Sequence, residues 1–125
     1  MIGKGKNALG KRGEDLAADY LAARGHTVLA RNWHGGHLEL DLVTEAPDGV
    51  HFVEVKTRTA PVAAAPEENV GRLKQQRITA AALKFLHAMD SRFEREVFFD
   101  VVAVLFDGGT VEINYFPQAW IPMYT

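Results

Sequence analysis

The chain has 125 residues, 47% of them apolar and 24% charged, with a formal net charge of −2 and no cysteine. This length and balance fit one soluble globular domain with its own hydrophobic core. The lack of cysteine excludes a disulfide framework, a thiolate metal site and a cysteine nucleophile. No apolar run is long enough to span a bilayer, and the N-terminus lacks the apolar centre of a signal peptide, so a cytoplasmic location is expected.

Residues 1–9, with Gly3 and Gly5 among polar and charged neighbours, are predicted to form a flexible arm able to order on a phosphate backbone. From Gly10 to Arg24 the spacing of Leu16, Ala17, Tyr20 and Leu21 predicts an amphipathic helix, with Gly25 as its stop. Glu14 lies three and seven residues before Ala17 and Leu21 and so shares their inner face. A first-turn Glu favoured by the helix dipole would look the same. Residues His26 to Asn32 read as a strand and Trp33 to Gly36 as a connection.

The stretch from His37 to Arg58, HLELDLVTEAPDGVHFVEVKTR, reads as two strands joined by the turn residues Glu45 to Gly49. Residues two apart on a strand share a face. Leu38, Leu40 and Leu42 are predicted to point one way, with Glu39 and Asp41 the other. Glu54 and Lys56 share a face with Phe52, while Val53 and Val55 take the opposite one. With the preceding strand this makes a three-stranded meander.

An Ala/Pro-rich loop follows from Thr59 to Pro66, then a helix from Glu67 to Met89. Its apolar stripe is predicted to run through Val70, Leu73, the stem of Arg77, Ile78, Ala81, Ala82, Phe85, Leu86 and Met89. Asp90 to Glu96 reads as a connection. Val97 to Phe106, apolar but for Asp100, reads as a strand buried on both faces. Asp107 to Gly109 predicts a hairpin turn, and Thr110 to Phe116 a returning strand. In the tail, Trp120 and Tyr124 either cover the core or make a dimer contact. The predicted fold is a single α/β domain over 1–125, with a mixed five-stranded sheet flanked by helices in the order α-β-β-β-α-β-β.

Glu54-x-Lys56 alone is a weak signal, because alternating charges on a strand edge need no function. Two features strengthen it. Glu54 sits in an apolar strand, and the preceding strand carries two further carboxylates on one face. Uncompensated acids in one place repel unless a cation joins them. Oxygen ligands without cysteine favour Mg²⁺ or Mn²⁺ over zinc. Such carboxylates would cancel against the metal, so net charge understates affinity for a polyanion. Lys4, Lys6, Lys11 and Arg12 form one basic group, and Arg72, Lys74, Arg77 and Lys84 a second. Basic runs are in general solvated surface. A zinc site from His34, His37 and His51 is the rival metal reading, on the weak signal of a histidine pair in a glycine loop. A serine hydrolase is poorly supported, since the one serine, Ser91, lies in a polar connection.

An acid in one strand followed by (Asp/Glu)-x-Lys in the next is the signature of restriction-endonuclease-like nucleases. More closely, Gly13-Glu14, Asn32-Trp33, Glu39 to Leu42 and Phe52 to Arg58 resemble the YraN family of small bacterial proteins. Lys74, the Ala-rich helix and Phe99 to Val102 also fall where that family has them, so the resemblance covers nearly the whole chain. The chain departs from the family at Leu38, where a glycine is usual, and at Phe98, where a basic residue is frequent. The family is regarded as a predicted endonuclease group distantly similar to Holliday-junction resolvases.

The resemblance implies a restriction-endonuclease-like fold and Mg²⁺- or Mn²⁺-dependent hydrolysis of DNA, on branched or processed structures. It implies that Asp41, Glu54 and the Val55 carbonyl are metal ligands and that Lys56 orients and helps deprotonate the attacking water. Glu14 would contribute through a second metal or a metal-bound water, and Glu39 would assist. Arg58, Arg72, Lys74 and Arg77, with Lys11 and Arg12, would contact nucleic acid. Two sites are needed to cut two strands, so a homodimer is expected. The alternative is a non-catalytic nucleic-acid-binding or protein-interaction module on the same fold.

Overall fold

A computed structural model of the chain describes residues 7–61, 70–89 and 95–122. Helix α1 runs from Ala8 to Ala22. It starts at Asn7, whose side-chain oxygen accepts from the Gly10 N–H at 2.7 Å, as an N-cap should. The end of the predicted 1–9 arm is therefore the cap and first turn of a helix; residues 1–6 lie outside the described residues. The chain leaves α1 through Gly25, whose φ of +93° suits glycine.

Five strands form one sheet in the order β1 (Thr27–Gly35), β2 (Leu38–Ala46), β3 (Gly49–Thr59), β4 (Val97–Asp107) and β5 (Thr110–Phe116). All neighbours are antiparallel except β3 and β4. Helix α2, Arg72–Ala88, lies between those two parallel strands in the chain, because a parallel return cannot be made by a hairpin. The predicted α/β order α-β-β-β-α-β-β is the observed one. The first strand is longer than predicted: Trp33 to Gly35 continue the ladder, and the turn falls at Gly36 and His37.

Each face of the sheet is covered by one helix. On one face Ala17, Ala18 and Leu21 of α1 pack with Leu42, Val53, Val102, Val104 and Phe106. On the other, Ile78, Ala81, Ala82 and Phe85 of α2 pack with Leu38, Leu40, Val43, Val50, Phe52, Phe99 and Val101. Strand β4 supplies both cores, which is why its sequence is a nearly unbroken apolar run. Among the described residues no helix is long and apolar enough to cross a membrane.

Two details differ from the sequence pattern. Leu73 does not join the buried stripe of α2 but stands 59% exposed, and Arg77 is exposed as well. Leu73 lies five residues from Ile78, more than a third of a turn away from the buried side at 3.6 residues per turn. In the tail, Trp120 covers the core: its ring stacks on Phe99 at 4.4 Å, and the Ala119 N–H bonds the Phe99 carbonyl at 2.8 Å. Tyr124 lies outside the described residues.

Candidate active site

The site begins with a fault in the sheet. The β1–β2 ladder passes from Arg31↔Leu42 to Trp33↔Leu40 and leaves Asn32 and Asp41 between them. Asn32 has a φ of +50°, a left-handed conformation that asparagine tolerates better than most residues. Beyond it the strands have turned over. Trp33 and Leu40 belong to the α2 core, whereas Leu42 belongs to the α1 core and Arg31 is paired with Asp15 of α1. The expected shared face of Leu38, Leu40 and Leu42 is therefore corrected: Leu42 points the other way. The β2–β3 ladder also stops here, its last pair being Leu42↔Val53.

Asp41 fills the opening. Its side chain turns toward β3 and accepts the Val55 N–H at 2.9 Å. Asp41 is 8% exposed and Glu54 9%. Held on the N–H of the residue after Glu54, the Asp41 carboxylate lies close enough for its charge to act on Glu54, so the strand register does bring these acids together. Burial, followed by the charge of Asp41, raises the Glu54 pKa from 4.5 to about 7, while Lys74 pulls it the other way.

Glu54 faces the α2 side of β3, as do Val50 and Phe52. From the first turn of α2, Lys74 reaches across to form an ion pair with Glu54. Lys56, half-buried, follows Glu54 by two residues on the same face, with half-buried Arg58 two further on. The predicted parity of this strand holds: Val53 and Val55 pack on the α1 side.

Glu14 approaches the same fault from α1. It is 2% exposed and accepts the side-chain N–H of Asn32 at 2.9 Å. The close approach of α1 has a simple cause. A Cβ on Gly13 would lie 2.1 Å from Thr57 Oγ1, so only glycine lets the helix seat this deeply on β3. Glu14 thus meets Asn32, and Asn32 stands opposite Asp41. Among the described residues, however, no three His, Asp or Glu side chains form a group able to hold a metal ion. The acids that lie together are Asp41 and Glu54.

The remaining predicted residues are spread more widely. Glu39 is exposed and pairs with His34 Nε2 at 3.0 Å. Arg72 and Arg77 are exposed on α2. On α1, Lys11 is 3.7 Å from Asp15, and the Arg12 guanidinium lies over the Phe106 ring, 4.9 Å from its centroid. The two basic groups therefore sit on opposite layers of the sheet.

A second buried polar cluster was not singled out from the sequence. Asp100 accepts from His51 Nδ1 at 2.6 Å, from the Tyr115 hydroxyl at 2.6 Å and from the Gln118 N–H at 2.9 Å. The other nitrogen of His51 faces Asp48 at 2.8 Å. Burial lowers the His51 pKa, but the two carboxylates outweigh it and the net shift is upward. His26, whose ring lies 4.7 Å away, is lowered by its burial and by that charge. With both ring nitrogens taken, His51 cannot serve as the zinc ligand of the rival reading. Phe98, where a basic residue is frequent in the YraN family, stacks on His51 at 4.7 Å.

Residues 13–104 match the family described as "Uncharacterised protein family UPF0102". The chain belongs to this family. It is the YraN group that the sequence resembles. A UPF0102 protein of Anaeromyxobacter dehalogenans is 42% identical over 118 residues, covering 94% of this chain and 87% of that one. A UPF0102 protein of Syntrophomonas wolfei is 43% identical over 112 residues, covering 90% and 96%. Among solved structures, the "SPO1766 protein of unknown function from Silicibacter pomeroyi" is similar with a TM-score of 0.41 at 16% identity, covering 94% of this chain and 79% of that one.

Proposed function

We propose that this UPF0102 protein is a metal-dependent endonuclease that hydrolyses DNA phosphodiester bonds, on branched or processed DNA. The observation that carries the reading is the buried Asp41–Glu54 pair at the sheet fault, with Lys56 two residues beyond. Burial and the charge of Asp41 push Glu54 up to about 7, which marks two acidic side chains brought to one buried place. Their hard oxygens fit Mg²⁺ or Mn²⁺ in kind. Asp41, Glu54 and the Val55 carbonyl would hold the ion, which supplies Lewis-acid charge for an attacking water and a departing oxygen.

The chain's own groups do the rest. The Val55 N–H fixes the orientation of Asp41. Lys56 orients the water and offsets the charge that develops on the phosphoryl oxygens. Glu14, anchored by Asn32, orients a water at the α1 side of the fault. Arg58, Arg72 and Arg77 contact phosphates near the site, and Lys11 and Arg12 contact them on the other layer. A DNA substrate implies a cytoplasmic location in a bacterium. Cutting two strands implies a homodimer, which light scattering showing monomer alone would exclude.

A non-catalytic DNA-binding module is favoured by two observations: Lys74 already pairs with Glu54, and no three-acid group is present among the described residues. A cleavage assay separates the two. Single-stranded, duplex and four-way DNA are incubated with Mg²⁺, Mn²⁺ or chelator, using wild type, Asp41→Ala and Lys56→Ala. The nuclease reading expects metal-dependent cutting that falls at least a hundredfold in either variant. Absence of cutting by folded wild type, with DNA binding indifferent to chelator, would establish the module.

A further inference from the structure

Lys74 sits in the first turn of α2, where the helix dipole disfavours a cation. That turn contains no acidic residue, and Gly71 gives it no side-chain cap. Yet Lys74, 59% exposed along its side chain, extends its ammonium to Glu54, which is 10% exposed along its own. What holds the ammonium in place is the acid pair.

Asp41 is anchored on the N–H of Val55, the residue after Glu54, and Lys74 brings one positive charge, with no vacant orbitals, to Glu54 Oε2. A divalent ion brings two charges and accepts lone pairs from both carboxylates at shorter range. The ion and the Lys74 ammonium need the same oxygen, so they compete. From this we infer that Lys74 is a tethered counter-ion, which holds the acid pair until a divalent metal displaces it. Once displaced, Lys74 shares a helix face with exposed Arg77, three residues further on, and adds a cation to the side that meets DNA. Metal binding and DNA binding are then coupled, each strengthening the other by the same factor. This inference rests on the metal-dependent reading above and assigns Lys74 a positioning role.

The test uses binding, not cleavage. Mn²⁺ is titrated calorimetrically into wild type, Lys74→Gln and Lys84→Gln, the last changing a cation on α2 that does not pair with Glu54. Lys74→Gln is expected to bind Mn²⁺ about two- to fivefold more tightly than wild type, as suits removal of a partly exposed ion pair. Lys84→Gln should match wild type. In parallel, fluorescence anisotropy measures affinity for a labelled duplex in Ca²⁺ and in chelator. Wild type should gain affinity with Ca²⁺, and Lys74→Gln should lose most of that gain.

Equal or weaker Mn²⁺ binding by Lys74→Gln, while wild type binds the ion, overturns the role of Lys74 and leaves the metal site standing. An equal increase in both Gln variants also overturns it, since general charge would then be the cause. If neither wild type nor Lys74→Gln binds Mn²⁺, this inference and the metal-dependent reading fall together. Tighter Mn²⁺ binding without a change in the Ca²⁺ effect on DNA overturns the coupling.

Discussion

Replacing Glu54 by Gln should make the metal-free protein more stable at alkaline pH. An acid whose pKa is higher in the folded than in the unfolded chain keeps its proton longer when folded. Stability therefore falls as pH rises from the ordinary value of 4.5 through the folded value of about 7, and levels off above it. That interval corresponds to roughly 3 kcal/mol, belonging to the Asp41–Glu54 pair as a whole. Gln keeps the shape but carries no charge. The folded value of about 7 already includes the opposing pull of Lys74, so losing that ion pair takes nothing further away. The net expectation is about 3 kcal/mol of added stability at pH 8 and little difference at pH 4.5. Urea unfolding at both pH values, with chelator present, measures it. Titrations common to both proteins cancel in the comparison. A Glu54→Gln protein no more stable than wild type at pH 8 would refute the reasoning, because the carboxylates would then not be repelling one another.

Two further outcomes follow from the packing. Asp100→Asn should cost about 3–5 kcal/mol, since it leaves the buried His51 facing a neutral amide and weakens the tie to Tyr115 and Gln118. His51, raised above 6.5 in the fold, stabilises fully below that value and progressively less as pH rises through its folded value. The loss should therefore be larger at pH 6 than at pH 9, and equal losses in urea unfolding at the two would count against a charged His51. Gly13→Ala should cost about 1–3 kcal/mol, because its methyl group meets Thr57 Oγ1 at 2.1 Å and must push α1 off β3; an unchanged melting temperature would show that α1 is not seated as described.

The sequence carried the element order, because each strand had its own period and each turn its own chemistry. Asp107 to Gly109 and Glu45 to Gly49 marked the hairpins where they occur. The faces of β3 were legible as well: strict alternation from Val50 to Lys56 lies in a strand paired along its length with β4. The face of Leu42 was not legible. Alternation assumes an unbroken pleat, and the ladder is broken between Arg31↔Leu42 and Trp33↔Leu40, with Asn32 at a positive φ. The His51–Asp100–Tyr115 cluster was hidden for another reason. Its members lie 49 and 15 residues apart in the chain, and only strand register joins them. Asp100, alone in an apolar run, was the signal that could have found it, since a buried carboxylate must have donors.

The fault also explains why the candidate site stands where it does. In a regular antiparallel pair the residue at position 41 would point to a single face and its neighbours would close the ladder over it. Here the β2–β3 ladder ends at Leu42↔Val53, and the freed Val55 N–H is taken by the Asp41 carboxylate. One side chain thus replaces a ladder bond and is carried into the plane of the sheet, between layers that α1 and α2 otherwise keep apart. That position lets Asp41 lie close to Glu54, which faces α2, while its opposite residue Asn32 holds Glu14, which comes from α1. Restoring a regular ladder would therefore separate the acids even with every one of them retained. The site depends on the backbone at Asn32 as much as on the carboxylates themselves.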